Sequence, residues 1–412
     1  MRILAFVLLF SFSSFSFAQS QKNAKSSPKV TEKKSDDLSS EQLEAKAVMN
    51  QVYESFVKII PYIYSDKLIF EGKDKKKQDE LLNNMNELSV AFKNAKHVNF
   101  LKIPGFKPSL DTINTHIQET IDSLQAKNLV FAHARLKAMT QLCVSCHSQL
   151  SDQVSKNAFG EVLSGIKRDQ FESDFQYANY LYLVRRFTES KVAYELGIKR
   201  ALERTTQVGK NSLADDKIIN GEIFTSLRRV LSIYTKIGLN PTEAIKFLKN
   251  YQNNPAVSKF TKTDIKKWIE SLEKWKKFDI NQVKNINTFI DTHLKSLESR
   301  QDKVNTGEHD ITLLISSGVL SKYLNDHPSD QATPAILYWL AVAERRLSTT
   351  YFFSLSDIYL KDCIREYSKS DFAKKCFSEY EDQLTFGYSG SLGTDIPQEE
   401  KRELEKLRSL IK

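Results

Sequence analysis

The residues with the most distinctive chemistry are Cys143-Val144-Ser145-Cys146-His147. The chain has 4 Cys and 7 His in 412 residues, and three of them stand within this pentapeptide. Two thiols separated by two residues can add to the two vinyl groups of one porphyrin. The histidine that follows at once can turn in to bind the iron from one side. The spacing therefore predicts one covalently attached haem c, with Cys143 and Cys146 as its thioethers and His147 as the proximal iron ligand. A redox-active dithiol would be expected to open a helix after a strand, and a zinc site would need two further ligands at close spacing. Neither context surrounds the motif.

The other two cysteines, Cys363 and Cys376, flank a probable helix break at Tyr367-Ser368-Lys369-Ser370. An antiparallel helix pair would bring their sulfurs together, and a structural disulfide is expected in an oxidising compartment, with two buried free thiols as the alternative. No general acid and base pair with defined spacing, nucleophile elbow or phosphate loop stands out, so the sequence carries no positive sign of an enzyme.

The elements that must position these residues begin after a targeting segment. Arg2, the apolar run Ile3–Phe10 and the small-x-small site Ser16-Phe17-Ala18 read as a signal peptide over residues 1–18. Residues 19–38 are rich in Ser, Lys and Asp and read as a flexible leader. A mature protein in the bacterial periplasm is expected, where haem is attached to such motifs. No later apolar run is long enough to form an integral membrane segment. The chain is 41% hydrophobic and 27% charged, with only 13 Gly and 9 Pro, a composition that suits an all-α protein. Its net charge of +9 is spread out: residues 39–160 hold 15 Lys+Arg against 13 Asp+Glu. No basic stripe with interleaved aromatics supports nucleic-acid binding. The run Lys73-Asp74-Lys75-Lys76-Lys77 reads as a solvated interhelix loop or a docking patch for an acidic partner.

Four segments within 39–155 share an alternating three-and-four spacing of apolar residues. They are Ala45, Met49, Val52, Phe56, Ile59, Ile63; Leu81, Met85, Leu88, Phe92, Ala95; Leu110, Ile113, Ile117, Ile121, Leu124; and Leu129, Ala132, Leu136, Met139, Cys143, Cys146. Each is one apolar seam on a helix, and four seams of similar length predict a four-helix up-down bundle. Connections are expected after Phe70, at Lys102-Ile103-Pro104-Gly105-Phe106 and near Lys127-Asn128. Both haem cysteines continue the fourth seam.

With the haem motif near the end of its last helix, this region resembles cytochrome c′ and its low-spin four-helix relatives over about residues 40–152. The resemblance implies that the iron faces the beginning of the first helix on its other side. There Met49, followed by Phe56 and Pro61, stands at the distal position. In the low-spin relatives a methionine at that place is the sixth ligand; in cytochrome c′ the place is apolar and the iron stays five-coordinate. Met49 is thus either the distal iron ligand or core filler, as Met85 and Met139 are expected to be. The family's arginine before the distal position and its basic residue after the haem histidine are both missing. Lys46 stands near the former as a propionate contact or a solvated lysine. His97, His116 and His133 are expected on the surface or partly buried, away from the haem. Many relatives self-associate, which leaves a homodimer open.

Residues 160–412 read as further helices in pairs. Ala178, Leu181, Ser190, Tyr194 and Gly197 place small and aromatic residues where a tetratricopeptide-like hairpin packs closely. A second such stretch runs from Tyr323 through Pro334–Ala341 to Phe386-Gly387-Tyr388, with helices around Leu227–Ile237, Glu243–Tyr251 and Ile265–Trp275 between them. The period is not clean, and a plain helical domain that buttresses the bundle is the alternative. Stacked helix pairs would present a surface for a protein.

The expected function is a mono-haem c-type cytochrome passing single electrons, loaded by the cytochrome c maturation machinery and docked through its helical repeats on a periplasmic redox or other protein partner. Two other functions stay open: a five-coordinate haem that binds NO or CO as sensor or scavenger, and an interaction scaffold with a mainly structural haem.

Overall fold

The structure is a computed structural model that describes residues 40–64, 75–102, 104, 107–147, 166–207, 213–298, 309–347, 351, 355–390 and 393–411. The signal-peptide and leader readings, at 1–18 and 19–38, lie outside the described residues. Sixteen α-helices, several short 3-10 or π-helical turns and one two-stranded ribbon make up the described secondary structure, so the protein is predominantly helical.

The first group comprises α1 (Ser40–Val57), α2 (Ile60–Tyr64), α3 (Lys75–Ala95), α4 (Lys107–Gln125) and α5 (Leu129–His147). Nearly every seam residue that is described is buried, from Ala45 to Ile63 on α1 and α2, Leu81 to Ala95 on α3, Leu110 to Leu124 on α4, and Ala132 to Met139 on α5. Met49 and Leu129 are only partly buried. The structure corrects two local expectations. The first seam is not one helix: a turn at Lys58-Ile59 separates α1 from α2. Pro61 explains the break, because it has no N–H to donate into a continuous helix. Lys75–Lys77 belong to the first turn of α3 and not to a loop, although all three are exposed as expected of a solvated run. Between α4 and α5 the chain turns at Lys127, whose φ of 58° is the left-handed conformation that ends helices. Asn128 then accepts a hydrogen bond from the Phe131 amide at 3.3 Å.

In this group α1 packs on α3, α3 on α4 and α4 on α5, while α2 closes onto α5. The principal partners of α1 are α3 and the turn Asn99–Lys102, so α1 and α5 are not among each other's principal partners.

The second group begins with the pair α6 (Asp174–Leu183) and α7 (Phe187–Gln207), followed by α8 (Leu213–Ser232), which passes into a π-helical turn at Ile233–Ile237. Then come α9 (Pro241–Gln252), α10 (Lys259–Trp275), α11 (Ile286–His293), α12 (Asp310–Asp326), α13 (Thr333–Arg346), α14 (Ser356–Glu366), α15 (Asp371–Gly387), the ribbon β1 (Ser389–Gly390) and β2 (Gly393–Thr394), and α16 (Gln398–Leu410). Side-chain caps explain where several helices start: Ser173, Asn240, Ser258, Asn285 and Ser370 each accept from an amide of the following first turn. Successive helices pack as pairs, α6 with α7, α9 with α10, α12 with α13, and α14 with both α13 and α15. Contacts that bind the groups together include α5 against α6 and α4 against α14. No helix among the described residues is long and apolar enough to cross a membrane.

The small residues of the first hairpin act as close-packing positions. Ser190 Oγ donates to the Ala178 carbonyl at 2.9 Å, and a Cβ placed on Gly197 would lie 2.9 Å from the Phe175 ring. Tyr194 donates from its hydroxyl to Asn179 Oδ1 at 2.5 Å, across the same interface.

Candidate functional site

The helix α5 runs unbroken to His147, so the stretch Cys143–His147 lies entirely on helical backbone. Positions 143, 146 and 147 differ by three and four residues, which puts them on one face of the helix. Ala132, Leu136 and Met139 precede them on the buried seam. The side chains of Cys143, Cys146 and His147 lie outside the described residues. The one-sided placement is therefore a property of the backbone and the spacing.

Met49 is half-buried and packs against the apolar core from α1. The other two interior methionines differ, since Met85 and Met139 are both 0% exposed. Ala45, Val52 and Tyr53 around Met49 are buried, so its remaining exposure is a local opening in an otherwise closed seam. Lys46, one turn earlier in the same helix, is half-buried. A planar apolar ligand set against this part of α1 would cover the Met49 thioether, and the residues here fit such a group. Their chemistry suits it as well, a soft thioether on one helix and a Cys-x-x-Cys-His on another.

The remaining histidines of the bundle are accounted for separately. His97 is exposed, and His116 and His133 are buried. The expectation of surface or partly buried positions thus holds for His97 only, because the α4–α5 interface encloses the other two. His116 Nε2–H donates to the Arg135 carbonyl at 2.7 Å, and its Nδ1 accepts from Arg135 Nη1 at 3.0 Å. Both ring nitrogens are engaged, so His116 serves the α4–α5 contact. Burial lowers its pKa below the usual histidine value, the Arg135 charge acts in the same direction, and the ring is kept neutral. Arg135 also pairs with Glu119 at 2.6 Å. Among the described residues no group of three or more His, Cys, Asp or Glu gathers as a metal site. A haem iron needs no such cluster, because the porphyrin supplies its equatorial ligands.

Sequence reasoning overlooked an aromatic junction one turn beyond Met49. Tyr53 on α1 shares a 2.7 Å hydrogen bond with the Tyr180 hydroxyl of α6, and Tyr180 meets Phe171 and Tyr177 at centroid distances of 5.3 and 6.4 Å. Burial raises the pKa of both hydroxyls above the ordinary tyrosine value. The available signal was the position of Tyr53 beside the buried seam, a place where a hydroxyl needs a partner.

Cys363 in the last turn of α14 and Cys376 in α15 are at disulfide distance, with 2.08 Å between sulfurs and 6.3 Å between Cα atoms. The break at Tyr367–Ser370 brings the two helices together, as the sequence led us to expect.

Compared with known proteins, the chain matches no family model, no curated protein and no solved structure.

Proposed function

We propose that this chain is a periplasmic mono-haem c-type cytochrome that passes single electrons. Cys143 and Cys146 hold the haem, and His147 and Met49 bind its iron from opposite sides. The supporting observation is that the Cys-x-x-Cys-His stretch continues the buried seam Ala132, Leu136 and Met139 of α5, in the same packed group as the Met49 helix. Met49 keeps exposed surface on that group while the other interior methionines have none. In this reading the first group is a four-helix up-down bundle with haem between its first and last long helices. The haem supplies a one-electron Fe(III)/Fe(II) couple. His147 and Met49 would hold the iron, a thioether favouring Fe(II), and the apolar seam of α1, α3, α4 and α5 would keep water from it. Lys46 is placed to meet a propionate.

The second group reads as a tetratricopeptide-like array of hairpins that docks a protein partner. The close packing of Ser190 and Gly197 in the α6–α7 hairpin and the succession of paired helices support this reading.

The test is a visible spectrum of secreted, haem-loaded protein, reduced with dithionite, before and after CO. Sharp low-spin bands that CO leaves unchanged, converted by Met49→Ala to a high-spin, CO-responsive spectrum, are expected. A wild-type spectrum already high-spin and shifted by CO removes Met49 from the iron and gives the gas-binding function precedence. Loss of covalent haem in Cys143→Ala/Cys146→Ala establishes the attachment site.

A further inference from the structure

The tip of the α9–α10 hairpin carries a feature that the haem reading does not use. Helix α10 turns Thr261, Ile265, Trp268, Leu272 and Trp275 toward the core. At about 100° per residue, the position before Thr261 points well away from that face. It is occupied by Phe260, which is 88% exposed. The connection to α9 at Asn253 and Pro255 is also exposed, so Phe260 sits at the end of a helical hairpin with its ring in water.

A single exposed apolar side chain is ordinary on a protein surface. What sets Phe260 apart is its surroundings. Between positions 249 and 267 the chain has Lys249, Lys259, Lys262, Lys266 and Lys267, and Asp264 is the one acidic residue. Lys266 lies 3.9 Å from Glu270 and the Lys267 charge acts on the Asp264 carboxylate, whereas Lys249, Lys259 and Lys262 form no ion pair among the described residues. Four of the five lysines are exposed and Lys262 is half-buried. Phe386, 79% exposed, serves as a comparison: no Lys or Arg occurs in the sequence from 377 to 395, and Glu379 and Glu381 in that stretch are paired with Arg345 and Arg408.

An exposed aromatic ring on a stretch of chain where exposed lysines outnumber acidic residues matches the interface of an anionic bilayer. There a ring enters the boundary between headgroups and acyl chains while lysines reach up to phosphates. The Phe260 ring, exposed over most of its surface, fits a deformable lipid surface, whereas a folded partner would need a concave acidic pocket shaped to receive it. We propose that the α9–α10 tip, through Phe260 and Lys249, Lys259, Lys262 and Lys267, docks this protein on the surface of an anionic lipid bilayer. The docking is peripheral, and it does not depend on whether the haem transfers electrons or binds gases.

Sedimentation of the full chain with lipid vesicles at low ionic strength tests the inference. Co-sedimentation is expected with vesicles of phosphatidylglycerol and phosphatidylcholine in equal parts, not with phosphatidylcholine alone, and it should fade by about 0.5 M NaCl as the charges are screened. Phe260→Ala should lower the partition about ten-fold, as loss of a buried aromatic ring does. Lys259→Gln and Lys267→Gln should each lower it about five-fold. Phe386→Ala should change nothing. Because Phe260 contacts little of its own chain, its variant is expected to fold, and circular dichroism checks this. Absence of binding to the anionic vesicles, equal binding to the neutral ones, or anionic binding that Phe260→Ala leaves unchanged would overturn the proposal. The last outcome would mean that another basic segment makes the contact.

Discussion

Tyr53 and Tyr180, 127 positions apart in sequence, share a buried hydroxyl–hydroxyl hydrogen bond of 2.7 Å that joins α1 to α6. It ties the helix of Met49 to the first hairpin of the second group. Tyr53→Phe and Tyr180→Phe should each cost about 1 kcal/mol in denaturant unfolding. The double variant should cost less than the sum, because the first change already removes the shared bond. The pH dependence has a definite sign. Both folded-state pKa values are raised by burial, so the contribution is complete below the unfolded tyrosine value of about 10 and is lost as pH rises above it. The Phe variants should show a shallower alkaline loss of stability.

Two glycines make a matched pair of tests. A Cβ on Gly318 of α12 would stand 2.2 Å from the Lys236 carbonyl oxygen of the π-helical turn, a backbone atom that cannot swing away. Gly318→Ala should destabilise by about 1–3 kcal/mol, as overpacking does. Gly221 in α8 has nothing within 4 Å of the same position. There Gly→Ala should stabilise by about 0.5–1 kcal/mol through helix propensity alone. Thermal melts of both variants would separate close packing from backbone entropy.

Lys236 and Glu344 form an ion pair at 3.1 Å with both side chains 0% exposed, and Glu344 Oε2 also accepts from the Leu355 amide at 2.8 Å. Lys236→Met should cost about 3–5 kcal/mol in urea unfolding, since it leaves a buried carboxylate without its cation. Lys236→Met/Glu344→Gln should recover much of that loss, because the Gln carbonyl can still accept from Leu355. A double variant no better than the single one would show that the cost is in packing.

Burial keeps His116 neutral, so its effect on stability appears in acid. Its folded pKa lies below the unfolded value of about 6.5. The contribution is therefore complete above that pH and is lost as pH falls toward the folded value. His116→Gln, with a side-chain amide that donates and accepts, should flatten the acid limb of an unfolding-versus-pH curve as pH falls below about 6.5.

The bridge between Cys363 and Cys376 closes a segment of sequence separation 13. Replacing both by Ser should lower stability by about 3 kcal/mol, and a reducing agent should have the same effect on wild type. Melts with and without reductant check this, and the double Ser variant should no longer respond.

The features read directly from the chain are those that depend on near neighbours. The seams Leu81–Ala95 and Leu110–Leu124 were legible because helical periodicity is set within a few residues, and an apolar face of that width must be buried somewhere. The Cys-x-x-Cys-His pentapeptide was conspicuous in the sequence because the chemistry it suggests needs only five consecutive residues. The Cys363 and Cys376 pair was legible because a short turn between two helices leaves few ways to place them. Ser190 and Gly197 were recognisable as close-packing positions for the same local reason.

The tertiary structure decided what depends on where helices dock. Tyr53 with Tyr180, Lys236 with Glu344, and Gly318 with the Lys236 carbonyl join positions far apart in sequence, and residue type alone does not select among many candidate partners. Phe260 is the clearest case. By composition it is one more core aromatic, and only the docking of α10 through Ile265, Trp268 and Leu272 turns it to the outside. The sequence by itself determined that the described chain is predominantly helical and which residues line most of its buried seams. The long-range packing, a sum of many weak contacts among rigid helices, determined which side chains meet and which face the solvent.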